Sequence, residues 1–266
     1  MTYPNDVLNK AKPKFTLERM PHRSVKARIY QKTVLVLELL ADEPFSSARI
    51  LSHVLRLGNR QTQATLAAMA GKKLIQVEVL PDGNRVYGIT STGLAYINCD
   101  SGKPFESGKV HLATIPHTLL TQKIRLDLIS YGASGWSSRR ELYKRKFFTQ
   151  VPDAAFRCGA SAFVYAAEIE LNIKSAKRAK DVFINYVQDM GDFDEPYTLL
   201  HFVIYFTPYP SAIRKFIDLY VPEHLRDRFY VHQIDFNIPF YVEQPKFVRD
   251  AGLEKFLGST TVINWD

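Results

Sequence analysis

Cysteine is nearly missing from this sequence. Its 266 residues contain two, Cys99 and Cys158, far apart and outside any Cys-x-x-Cys or Cys/His cluster. A disulfide framework and a structural zinc site are therefore not expected. Long apolar runs are absent too: nothing approaches the roughly 18 consecutive apolar residues of a membrane-crossing helix. The first residues, polar with Pro4, Asp6, Lys10 and Lys12, lack the apolar segment of a signal peptide. These absences predict a soluble, cytoplasmic protein with no membrane insertion.

What is present is apolar residues enough for real cores, 46% hydrophobic and 12% aromatic, and a positive charge that is unevenly spread. The net charge is +8; residues 1 to 110 hold 16 Lys and Arg against 9 Asp and Glu, and the remainder 19 against 18. The basic excess thus belongs to the N-terminal part and favours a polyanionic partner there.

Residues 1–28 are rich in Lys, Arg and Pro without apolar periodicity and read as a basic arm. Over 29–97 the pattern predicts a helix at Tyr30 to Leu40, a second at Ser46 to Leu55 capped by Ser46 or Ser47, and a third from Arg60 that Gly71 stops. Two β-like runs, Leu74 to Leu80 and Arg85 to Thr90, flank the turn sequence Pro81-Asp82-Gly83-Asn84. A short helix follows at Thr92 to Ile97. This is the order of a winged helix-turn-helix. In that arrangement Arg60, Gln61 and Gln63 face bases in the major groove, and Arg85 meets the backbone beside the turn. Winged helices also serve as protein-docking modules. Residues 98–110, with Gly102, Pro104 and Gly108, read as a linker.

The second domain, 111–266, opens with an amphipathic helix from Pro116 to Ser130, which Gly132 and Gly135 end, and continues through the basic stretch Trp136 to Lys146. A hairpin follows: Gln150 to Phe156, a turn over Cys158 to Ser161, then Ala162 to Leu171. Its second strand is apolar until it ends in Glu168-Ile169-Glu170. Strand alternation puts the two acids on one face, and Asp153 on the partner strand can meet them. Three carboxylates converging there repel unless a cation or a proton neutralises them. Lys174, Lys177, Arg178 and Lys180 follow on a helix from about Ser175 to Met190. Acidic ligands beside a cationic wall describe a site for a hard metal ion and a phosphate.

Tyr197 to Thr207 reads as a buried central strand, Ser211 to Tyr220 as a helix, Arg228 to Phe236 as a strand and Lys246 to Leu257 as a last helix. Asp181, Asp189, Asp192, Asp194 and Glu195 are assigned to solvated positions, and Glu141 to a surface ion pair or a fourth acid. The fold class expected is α+β: a winged helix-turn-helix followed by a mixed α/β domain.

Val151-Pro152-Asp153, followed by Glu168-Ile169-Glu170, resembles the PD-(D/E)XK nuclease superfamily, which implies a restriction-endonuclease-like domain. Joined to the upstream winged helix, His117-Thr118-Leu119-Leu120, Trp136 to Glu141 and the Lys-rich helix, the order of motifs is similar to that of MOBC-type plasmid relaxases and the replication-relaxation family, over residues 30 to about 210. The resemblance implies a strand-nicking DNA endonuclease acting at a plasmid transfer origin, with an accessory mobilisation protein or coupling protein as further partner. Asp153, Glu168 and Glu170 would hold Mg²⁺ or Mn²⁺, and Lys174 would stand in for the motif's lysine, whose place Glu170 takes. Glu170 is then either a ligand or a general base. Arg139, Arg140 and Lys177 are the DNA contacts expected near the site. The His-x-His cluster of other relaxases is missing, and Tyr186 is expected to pack behind the site. The alternative is a DNA-binding replication or transcription regulator whose nuclease-like domain is degenerate. A restriction or repair nuclease cutting both strands is the third reading.

Overall fold

Helix α1 (Val25–Asp42) buries Thr33, Val36, Leu37, Leu39 and Leu40 along one stripe and so begins five residues before the position the sequence suggests. The structure, a computed structural model, describes residues 25–100, 102–158, 163–191 and 199–234. Most of the expected basic arm, the hairpin turn and the expected helix at Lys246 to Leu257 lie outside these residues. The described chain is α+β, with one three-stranded and one five-stranded sheet.

The first unit follows the expected order. Strand β1 (Ser46–Ser47) leads into α2 (Ala48–Leu55), whose first turn is capped by Ser47, its hydroxyl accepting from the Ile50 N–H at 3.3 Å. Helix α3 (Asn59–Gly71) comes next. Strands β2 (Ile75–Val79) and β3 (Arg85–Ile89) pair antiparallel, with β1 on the far side of β3. Gly83 takes φ +82 in their turn, and Asp82 accepts from the Asn84 N–H at 3.0 Å. Helix α4 (Ser91–Tyr96) closes the run.

Two features depart from the expectation. The described part of the 98–110 segment is no free tether: the Phe105 N–H donates to the Ile89 carbonyl at 2.7 Å, and the Phe105 ring lies over Gly88. A Cβ at position 88 would sit 2.0 Å from the ring's Cγ, so only glycine admits that contact. Helix α5 (Ile115–Ser130), expected to open the second domain, is held by the first. The Gln122 side-chain amide donates to the Phe45 carbonyl at 2.6 Å, and the buried Arg125 guanidinium reaches Glu43 at 3.2 Å and Asp42 at 3.4 Å. The boundary between the two compact units therefore falls at Asp127/Leu128, inside α5. Gln122 thus satisfies a carbonyl in the turn after α1, and Arg125 the carboxylates at that helix's end.

The second unit is built on a five-stranded sheet in chain order: β4 (Ala133–Ser138), β5 (Ala154–Cys158), β6 (Val164–Ile169), β7 (Phe202–Thr207) and β8 (Phe229–Gln233). The first three form an antiparallel meander and the last two add in parallel. Strand β4 goes unread in the sequence because Ala133-Ser-Gly-Trp-Ser-Ser138 lacks β-branched residues. Gly135, expected to help end the preceding helix, instead takes φ +60 within a register shift of this strand. Helix α6 (Arg139–Arg145) joins β4 to β5, α7 (Ala176–Asp189) joins β6 to β7, and α8 (Pro210–Tyr220) joins β7 to β8.

Strands β5, β6 and β7 are buried along their whole length, which accounts for their continuous apolar text. Ala166, Val203, Tyr205 and Phe229 on one face pack against Ala179, Val182, Phe183 and Tyr186 of α7 and Ile213 and Ile217 of α8. On the other face Trp136, Phe156, Tyr165 and Phe202 stack across four strands at centroid distances of 5.8, 5.4 and 5.0 Å. That ladder of cross-strand aromatic pairs pins the register on which the site depends.

Candidate active site

The register of β5 and β6 pairs Ala154 with Ala167, so the next step along the two strands sets Asp153 opposite Glu168. Tyr205 on β7 is in turn paired with Glu168. Three neighbouring backbones thus bring Asp153, Glu168 and Tyr205 side by side on the face that α7 covers. All three are buried, at 5%, 5% and 1% exposure. Among charged side chains that depth is uncommon without a partner.

Each carboxylate has partners. Asp153 accepts from the Arg139 guanidinium at 2.8 Å and from the Ile169 N–H at 2.9 Å, while its own carbonyl accepts from the Arg139 N–H at 2.9 Å. Glu168 accepts a hydrogen bond from the Tyr186 hydroxyl, which α7 delivers from its sheetward stripe. Glu170 lies just past the end of β6 and forms an ion pair with Lys174.

Burial and, after it, the charge on Asp153 push the Glu168 carboxyl up to about 8, against the pull of the Tyr186 hydroxyl, Lys174 and Arg139. At neutral pH Glu168 therefore keeps its proton in the metal-free site. Burial lowers the Lys174 ammonium, with Glu168 and Asp153 acting in the opposite sense. Burial, then Glu168, holds both the Tyr186 and Tyr205 phenols well above their ordinary value.

The expected cluster of three carboxylates does not form. Among the described residues no group of three or more His, Cys, Asp or Glu side chains is arranged to hold a metal ion. Alternation alone would put Glu170 beside Glu168, but Glu170, whose N–H still bonds the Phe206 carbonyl at 3.0 Å, pairs through its side chain with Lys174 four residues on. The remaining two-acid site still suits a hard divalent ion, since Mg²⁺ characteristically takes one or two carboxylates and keeps several waters. The Tyr205 hydroxyl, buried there with no hydrogen-bond partner among the described residues, is a further oxygen for such a hydrated ion.

Of the cationic residues expected nearby, Arg139 reaches the acid pair directly. Arg140 is half-buried on α6, and Lys177 is exposed on the first turn of α7. Glu141 accepts from the Ser138 N–H at 3.2 Å and so caps α6 instead of entering the site. Asp189, expected in solvent, is buried, and its two oxygens accept from the Thr149 and Gln150 N–H groups at 2.9 and 3.1 Å, fixing the loop that leads to Asp153. The signal was present, because Asp189 continues the stripe Ala179, Val182, Phe183, Tyr186 at helical spacing. Asp181 is exposed as expected; Asp192, Asp194 and Glu195 lie outside the described residues.

In the first unit Arg60 and Gln61 are exposed at the start of α3, and Arg85 is exposed at the start of β3. Gln63, also exposed, accepts from the Tyr87 hydroxyl at 3.2 Å, which ties α3 to the β-ribbon. Cys99 is half-buried and Cys158 buried, and no disulfide joins them. No described helix is long and apolar enough to cross a membrane.

No family model and no curated protein matches the chain. Among solved structures it is similar to one described as PigF with SAH, at 12% identity and a TM-score of 0.21, over 79% of this chain. The chain spans 57% of that protein's length, and a likeness at this TM-score assigns neither fold nor activity.

Proposed function

We propose that this protein is a metal-dependent, site-specific DNA endonuclease that nicks one strand at a plasmid transfer origin, as a mobilisation relaxase does. One observation carries the reading: Asp153 and Glu168 face each other across adjacent buried strands, with Lys174 and Arg139 against them. The order α5, β4, α6, the antiparallel β5 and β6, α7, then the parallel β7 supports a restriction-endonuclease-like domain. Three helices followed by a β-ribbon support a winged helix, with Arg60, Gln61, Gln63 and Arg85 on its DNA-facing side.

Asp153 and Glu168 would hold Mg²⁺ or Mn²⁺, and such an ion polarises a phosphate and lowers the pKa of a bound water. The chain's own part is to supply positive charge where the phosphate gathers negative charge. Lys174, buried enough to be weakly hydrated, does this from one side. Arg139 has a mostly exposed side chain and exchanges its carboxylate partner for a phosphate oxygen without crossing the core. An accessory mobilisation protein or the coupling protein of a conjugation system is the macromolecular partner that this role calls for.

Supercoiled plasmid carrying a cognate origin, incubated with the protein and Mg²⁺ or Mn²⁺, is expected to become open circles. Asp153→Ala and Glu168→Ala should abolish nicking yet leave origin binding intact. Nicking by both variants at the normal rate overturns the proposal. The Glu170–Lys174 pair, which takes up the third acid and the lysine together, favours a second reading: a DNA-binding plasmid regulator with a degenerate nuclease-like domain. Binding without relaxation of any cognate origin selects it.

A further inference from the structure

Tyr205 is the least exposed of the three residues aligned across β5, β6 and β7, and its hydroxyl has no hydrogen-bond partner among the described residues. A buried phenol left unpaired is destabilising relative to a satisfied one, and phenylalanine at this position would avoid the cost. The surroundings sharpen the anomaly. Tyr186, on the same face, has a hydroxyl that donates to Glu168. The Tyr205 ring rests on Phe183 at a centroid distance of 5.4 Å, so packing fixes its direction. The parallel register places it beside Glu168, and the charges of Glu168 and Asp153 both act on its hydroxyl. An unpaired donor held rigidly against two acids is a group waiting for an oxygen that the described residues do not supply.

We infer that Tyr205 is a positioning residue of the acid site, its hydroxyl donating to a water molecule that belongs to the hydration shell of a divalent ion held by Asp153 and Glu168. The inference rests on the metal-dependent reading and adds to it. It explains how two carboxylates can suffice where the third acid is engaged by Lys174: part of the ion's shell stays water, and the protein grips that water from β7. Tyr186 orients the carboxylate and Tyr205 orients the solvent, a division of labour usual for groups surrounding metal ligands.

The test is direct Mn²⁺ binding, followed by electron paramagnetic resonance of free Mn²⁺ on the full chain, with no DNA and no activity readout. Tyr205→Phe should weaken Mn²⁺ binding about tenfold, the lower end of what such second partners contribute. The same variant without metal should melt no lower than wild type, because it removes an unsatisfied hydroxyl and keeps the ring. Wild type and Tyr205→Phe binding Mn²⁺ equally well overturns the inference while the metal-dependent reading stands. No saturable Mn²⁺ binding by wild type, or equal binding by Asp153→Ala, overturns both. As a check that needs no variant, wild type labelled with fluorotyrosine should show two fluorine resonances broadened most by Mn²⁺, from Tyr186 and Tyr205. Broadening confined to other tyrosines overturns the inference.

Discussion

Glu168 and His201 are two buried titratable groups whose shifts run in opposite senses. Glu168 keeps its proton up to about pH 8 when folded, against an ordinary value of 4.5, so the native state binds more protons than the unfolded chain between those limits. Stability contributed by this group is complete below 4.5 and is lost as pH rises through 8. Melting temperatures measured in chelator should therefore fall on the alkaline side, and Glu168→Gln should flatten that fall. His201 accepts from the Val164 N–H at 3.1 Å, and burial, then Arg228 and Arg157, lower it to about 4 from 6.5. Its contribution is complete above 6.5 and is lost as pH drops to about 4, so His201→Gln should melt with less acid sensitivity than wild type. If Glu168→Gln tracks wild type from pH 5 to 9, the protonation of the acid pair is misassigned.

At the scale of elements, the helices and most strands were legible because each carries its own local signal: Ser47 as a cap, Gly71 as a stop, the unbroken apolar text of β7. Strand β4 was not legible, since its place is fixed by pairing with β5 and by the stacking of Trp136 on Phe156. The site was half legible. Alternation foretold that Asp153 and Glu168 would meet, but not that the Glu170 side chain would pair with Lys174. Residues 98–110 looked like a linker because of Gly102, Pro104 and Gly108, whereas Phe105 against Ile89 and Gly88, and the Gly108 N–H on Glu78, hold the segment to the β-ribbon. Gly88→Ala should accordingly destabilise the first unit by about 1–3 kcal/mol in urea denaturation, as overpacking does. In a Phe105→Ala background the same change should cost much less. Equal costs in the two backgrounds would show that Phe105 is not what excludes a side chain at position 88.

For the molecule as a whole, Arg125 defines which unit owns α5. Asp42 and Glu43 at the end of α1 both pair with this buried guanidinium, so Arg125→Ala removes a buried ion-pair partner and should cost about 3–5 kcal/mol. Hydrogen exchange locates the loss: amides of α1 and α2 should exchange faster, while those of β5 and β6 keep their protection. Uniform acceleration in both units would contradict the division at Asp127/Leu128. The sheet of the second unit also has a temporal side. Its β5–β6 hairpin closes over a few residues, whereas β7 can join β6 only after the intervening helix is made. A ribosome-bound chain that stops short of α7 thus leaves Glu168 without Tyr186 and open to bulk solvent, as an ordinary acid. The raised Glu168 carboxyl, and any appetite for a cation, arrives only with the later part of the chain.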